Sequence, residues 1–160
     1  MILRLARVTT LLTAAVLAVT LVGHAQSKDP FVGTWKMNPA KSSYSPGPMP
    51  QSITVIYEAA GKGYKVSVTN ELASGKTQYG YTTNADGTDA KMTGNNPNAD
   101  TIAVRRIDAN TLESVNKMGG KTTITQRNVL SADGKSRTVT STGTDPKGQK
   151  VHNVAVFKRQ

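Results

Sequence analysis

Three sets of side chains in this sequence could do chemistry: a histidine, an oxygen-rich turn and an arginine set among apolar residues. The 160 residues contain two histidines, His24 and His152, and no cysteine. Cysteine nucleophiles, thiolate metal sites and disulfides are therefore excluded. His152 would need a nucleophile and an orienting acid to serve in catalysis, and neither is recognisable. It falls in a strand-like run, Lys150–Lys158, on the face opposite to Val151 and Asn153, and reads as a surface or edge residue. Asn84-Ala85-Asp86-Gly87-Thr88-Asp89 carries oxygen side chains around a glycine but lacks the spacing and closing glutamate of a calcium loop. A hairpin turn explains it. No glycine pattern of the nucleotide-binding kind precedes a helix. The expectation is a chain that is not an enzyme and holds no metal or cofactor.

Arg106 offers more. It shares strand parity with Ile102 and Val104, and alternation sends all three inward if any one goes in. A buried guanidinium must find a partner. Acids are scarce away from turns, since the only glutamates are Glu58, Glu71 and Glu113. The partner is then a bound anion, unless the strand end has left the fold or a bulge has switched its parity. Gln126 and Asn128 share parity with Ile124 and Leu130. Tyr79 and Tyr81 fall on one strand face, an arrangement that also suits plain cross-strand packing. The site expected from these positions binds a small amphipathic anion. Arg106 stands at its charged end, Met37, Tyr57, Tyr79, Tyr81 and Phe157 line its apolar part, and Gln126 is inside.

The elements that must position these residues are short strands. Ile53, Val55 and Tyr57 alternate, as do Tyr64, Val66 and Val68, and then Val151, Ala155 and Phe157 near the end. Turn residues recur between the runs, as in Ala60-Gly61-Lys62-Gly63, Met118-Gly119-Gly120-Lys121 and Ala132-Asp133-Gly134-Lys135. No stretch after Gln26 carries a 3.6-residue apolar stripe. Short connectors imply antiparallel neighbours, and about 8–10 strands in a meander close on themselves to remove exposed edges. The fold expected is an all-β, up-and-down antiparallel barrel. Asn38–Pro50, with four prolines, is a connector that cannot be regular helix, and Thr93–Asp100 reads as a polar loop.

The front of the chain reads differently. Arg4 and Arg7 precede an apolar stretch, Val8–Val22, and then Gly23-His24-Ala25. That order is expected of a signal peptide, residues 1–25, cleaved after Ala25 to leave a barrel domain at 26–160 in the periplasm or outside the cell. The stretch is short and interrupted by threonines, so a transmembrane span is not expected. Basic residues outnumber acidic ones 20 to 10, a net charge of +10 that falls to +8 when Arg4 and Arg7 are removed. The charge is scattered and aromatic residues are only 5%, which argues against nucleic-acid binding. It suits contact with the anionic cell envelope. A small outer-membrane barrel also begins with a signal and hairpins, but Thr, Lys and Arg fill the would-be lipid face and no aromatic girdles are visible.

Phe31-Val32-Gly33-Thr34-Trp35-Lys36-Met37-Asn38 resembles the first strand of the calycins, the lipocalins and fatty-acid-binding proteins, whose Gly-x-Trp triplet here is Gly33-Thr34-Trp35. Val154-Ala155-Val156-Phe157-Lys158 resembles their closing strand. Taken together, Gln26–Gln160 is similar to small secreted bacterial lipocalin-like proteins of unassigned function. The resemblance implies that Trp35 plugs one end of the barrel beneath a basic residue, Lys158 or Arg159, while Gly33 lets backbone approach closely. It does not extend to the fatty-acid site. Asn38–Pro50 stands where those proteins insert a helical lid, and Ala155 and Phe157 stand where they place an Arg-x-Tyr clamp. Two functions are expected: a carrier holding a small amphipathic molecule inside the barrel, or a filled barrel that binds an envelope component or a protein through its loops and basic surface.

Overall fold

The computed structural model describes residues 29–160. The segment read as a signal peptide, with its cleavage site and Gln26, lies outside the described residues. Twelve strands follow in order: β1 (Gly33–Met37), β2 (Ser43–Ser45), β3 (Ser52–Ala60), β4 (Gly63–Leu72), β5 (Gly75–Thr83), β6 (Asp86–Lys91), β7 (Thr93–Gly94), β8 (Thr101–Asp108), β9 (Thr111–Met118), β10 (Lys121–Leu130), β11 (Ser136–Thr144) and β12 (Lys150–Arg159). A 3-10 turn, Pro39–Lys41, interrupts them. The strands form one antiparallel sheet in the order β6-β8-β9-β10-β11-β12-β1-β3-β4-β5-β7, with β2 added alongside β12. β1 lies between β12 and β3, pairing Trp35 with both Arg159 and Val55, and this wraps the meander into a nearly closed barrel. β5 and β6 complete the circle without a ladder of their own. Instead β7, which follows β6 after one residue, pairs with β5 through Tyr79–Gly94 and Gly80–Thr93.

Twelve strands exceed the expected 8–10, and the surplus lies where polarity hid it. The segment expected to be a turn contributes Asp86 and Gly87 to β6, with a register shift between Asp86 and Asp89. The polar loop contains β7, and the proline-rich connector contains the 3-10 turn and β2. These are edge or capping elements, which need no apolar face.

Alternation puts Trp35 and Met37, then Ile53, Val55 and Tyr57, then Tyr64, Val66 and Val68 inside, with Ile102, Val104, Leu112, Ala155 and Phe157. Charged residues such as Lys36, Lys65, Arg105 and Lys158 point outward. Gly143 (φ 152°) fits where β11 passes the irregular start of β10, since a Cβ there would lie 2.1 Å from the Thr123 carbonyl oxygen. Among the described residues no helix is long and apolar enough to cross a membrane.

Candidate functional site

One end of the barrel is shut by residues that precede and follow the strands. Trp35 is fully buried, and its indole N–H donates to the Phe31 carbonyl at 2.9 Å. Phe31, Tyr57 and Tyr64 pack around one another with ring centroids 5.4 to 6.4 Å apart. Arg159 lies over the Trp35 ring, its guanidinium carbon 4.2 Å from the ring centre. Its N–H groups donate to the carbonyls of Gly134 (2.9 Å), Val32 (2.8 Å) and Pro30. Gly33 makes room for it: φ is 141°, and a Cβ there would stand 2.6 Å from Arg159 Nη1. Of the two residues expected over the indole, the structure selects Arg159. Lys158 is exposed, opposite Lys36 on the outer face, because it has the opposite parity.

Arg106 belongs to this closed end and not to a ligand site. Its guanidinium enters as parity predicts, but it pairs with the Asp29 carboxylate at 2.5 Å and also donates to the Tyr64 hydroxyl. Further bonds run to the carbonyls of Asp108 (3.4 Å) and Ala109 (3.2 Å), and the rings of Phe31 and Tyr64 lie alongside. Asp29 Oδ1 is taken by the Phe31 N–H at 2.9 Å. The internal acid thus comes from the segment before β1, where strand periodicity gives no hint of it. Met37 also departs from expectation. It is buried under Tyr44, whose hydroxyl is 3.8 Å from the Met37 sulfur, and it does not line the cavity.

Above this floor the barrel encloses a cavity of about 610 Å³, so it is not filled. Tyr57, Tyr79, Tyr81, Gln126 and Phe157 line it as expected from the sequence. Its mouth is framed by the Pro46–Pro50 segment, the β4–β5 turn, the β6–β8 loop and the β11–β12 turn. The cationic residue inside is Arg137 of β11, only 2% exposed. Its guanidinium carbon lies 4.4 Å from the Phe157 ring centre, 5.1 Å from Tyr57 and 5.3 Å from Trp35. Nη1 donates to the Tyr57 hydroxyl at 3.3 Å, while Nε is buried with no partner. Among the described residues no carboxylate forms an ion pair with it. Burial pushes its pKa below the usual arginine value, and the Tyr57 hydroxyl opposes that fall.

The cavity has two unlike walls. Ile53, Val55, Val66 and Val68 of β3 and β4 face Ser114, Asn116, Gln126, Asn128 and Ser141 of β9, β10 and β11. Across the polar wall Ser114 donates to Gln126 Oε1 at 3.2 Å, and Gln126 Nε2 donates to Ser141 at 3.1 Å. Asn128 donates to the Tyr57 hydroxyl at 3.4 Å. Burial raises the pKa values of Tyr44, Tyr79 and Tyr81. Tyr44 near the mouth is pushed up to about 12, first by desolvation and then by Tyr79. Tyr79 and Tyr81 are also raised chiefly by burial.

Arg137 was legible in principle, because it shares parity with Val139 and the buried Ser141. The rest of β11 is Ser, Thr and Gly, so a single valine was the sole inward marker. The other sets of candidate residues resolve simply. His152 is exposed on β12 opposite Ser45 and Thr142. Asp86 spends one oxygen on the Thr88 N–H (3.0 Å) and hydroxyl (2.6 Å), and Asp89 pairs with Lys117 at 2.7 Å.

Comparison with known proteins adds little beyond this geometry. No protein-family model matches the sequence, and no curated protein does either. Among solved structures it is similar to zebrafish ileal bile acid-binding protein complexed with cholic acid. That match has 13% identity and a TM-score of 0.45, and it covers 82% of this chain and 99% of the other.

Proposed function

We propose that this protein is a calycin-like carrier that holds a small amphipathic anion inside its barrel, with the anionic group against Arg137. One observation carries the reading: a buried guanidinium lines an open cavity with an unused N–H and no acid beside it. An isolated buried charge is costly, and an anion entering from the mouth removes that cost while its apolar part covers Val55, Val66 and Val68. In this reading Tyr57, Tyr79, Tyr81, Gln126 and Phe157, which line the cavity, surround the ligand, and Arg137 takes the part expected of Arg106. The reading assigns no reaction to the protein.

The test compares hexadecanoate with the neutral hexadecanamide by calorimetry on the wild type and on Arg137→Gln. The carboxylate should lose about a hundredfold in affinity in the variant, as expected when a buried charge pair loses a member, and the amide far less. Equal loss for both ligands would overturn it. The sequence of residues 1–25 supports placing this carrier outside the cytoplasm. N-terminal sequencing of the mature protein should begin at Gln26, and recovery of Met1 would refute that placement.

A further inference from the structure

Among the described residues, five buried side-chain atoms have no hydrogen-bond partner: Asn70 Oδ1, Thr77 Oγ1, Asn116 Oδ1, Asn128 Oδ1 and Arg137 Nε. All five residues line the cavity. A protein of this size leaves few buried polar atoms unpaired, and here they converge on one space. Each orphan left beneath a hydrocarbon chain would stay unpaired, at a cost larger than a single hydrogen bond ordinarily contributes. Four of the five are oxygens. The Asn128 amide nitrogen donates to Tyr57, which leaves its oxygen without a donor. A donor cannot come from a plain acyl chain.

The register orders these groups along the cavity. Arg137 pairs with Leu130, and along β10 Asn128 comes two residues nearer the mouth. Gln126 follows at four residues, bonded to Ser114 and Ser141. Asn116 comes at six, opposite Ile124. At about 3.4 Å per residue the two free asparagine oxygens stand roughly 7 and 20 Å along the strand from the level of Arg137. Asn116 and Asn128 are each 7% exposed, so bulk water does not serve them. The opposing wall offers Ile53, Val55, Val66 and Val68, with the unpaired Asn70 and Thr77 beside Ile53 at its mouth end.

We infer that the ligand is a hydroxylated amphipathic anion: its charge lies deep against Arg137, and hydroxyl groups along one side of its body donate to Asn128 and Asn116. This rests on the carrier reading and narrows it, because it separates such a ligand from an unsubstituted fatty acid. The apolar wall packs the unsubstituted side, and the polar wall reads the hydroxyls.

The experiment titrates hexadecanoate and 9,10,16-trihydroxyhexadecanoate, which share a chain length and carboxylate, into the wild type, Arg137→Gln, Asn116→Leu, and the pair Asn116→Leu with Asn128→Leu. The trihydroxy acid should bind the wild type at least tenfold more tightly. That preference should shrink in Asn116→Leu and vanish in the double variant, whereas Arg137→Gln weakens both acids alike. If the double variant does not fold, the single Asn116→Leu substitution decides. Equal affinity for the two acids on a wild type that still requires Arg137 overturns the hydroxyl inference, with trapped water filling the polar wall, and leaves the carrier reading standing. Failure of both acids to bind removes the carrier reading itself.

Discussion

The closed end and the cavity treat the same side chain in opposite ways. Among the described residues, three arginines enter the barrel. Arg106 meets the Asp29 carboxylate, and Arg159 meets three backbone carbonyls. Arg137 meets a single tyrosine hydroxyl. All three lie against aromatic rings, so cation–π contact does not distinguish them. The partner does. Where the charge is matched by the chain itself, the arginine fastens one part of the fold to another. Arg106 ties the segment before β1 to β8, and Arg159 ties β12 to the β10–β11 turn. Where the charge is left unmatched, it lies beside the cavity, and the proposed anion site rests on that difference.

Removing the partition between the two regions should have the largest effect. Trp35 lies within 5.3 Å of Arg137 and 4.2 Å of Arg159, so Trp35→Ala should open the floor of the cavity and cost roughly 3–5 kcal/mol of stability in urea denaturation. A loss below about 1 kcal/mol would mean that the floor stands without the indole.

The arginines themselves sharpen the contrast. Arg137→Met should abolish selectivity for an anion over its neutral analogue, while the empty protein becomes no less stable or gains about 1 kcal/mol, because an unpaired buried charge has gone. Arg106→Met should do the reverse. It leaves anion binding intact and lowers stability by about 1–2 kcal/mol, a modest figure because the Asp29 pair is partly open to water. If both variants lose binding equally, the two regions are not separate.

The smallest effects are protonic. Tyr44, with its pKa near 12 in the folded state against 10.0 ordinarily, should titrate late in an ultraviolet titration, and Tyr44→Phe should delete that phase. The folded protein holds this proton more tightly than the unfolded chain, so the contribution is complete below pH 10 and is lost as pH rises toward 12. At the closed end and in the turns the sign reverses. Asp108 and Asp133 are held below their ordinary value of 3.8, Asp108 chiefly by the Asn110 N–H and Asp133 chiefly by the Ser131 hydroxyl. Their stabilisation is present above pH 3.8 and should fade in acid unfolding as the pH drops through the lowered values.

The closed end was the more legible region in the sequence. The Gly33–Trp35 triplet shows through its resemblance to a known first-strand motif, while the alternation through β3, β4 and β8 and the inward turn of Arg106 follow from period-2 patterning, which the packed core enforces. The missing part was Asp29, because a residue outside a strand has no parity to read. The cavity was half legible. Tyr57, Tyr79, Tyr81 and Phe157 announce themselves as large side chains at inward positions and Asn128 through its parity with Ile124 and Leu130, while Arg137 and Asn116 sit on strands whose inward face is largely polar. A polar inward face looks like an outward one until the sheet is closed. β6 and β7 escaped for the same reason, carrying Asp, Gly, Thr and Lys where a core strand would carry apolar residues.

That the first strand stands beside the last has a consequence for how the chain reaches this state. Every hairpin from β3 to β12 can form from neighbouring residues soon after they are made, but Trp35 gains Arg159 only when β12 arrives. Loop closure over almost the whole domain must be paid before the indole is covered, the kind of distant pairing that slows folding. Until then the sheet is an open ribbon whose β1 and β12 edges are both unpaired, and its two candidate partners are each other or another molecule of the same chain. The order of assembly therefore makes β12 the step at which a productive fold and aggregation part ways.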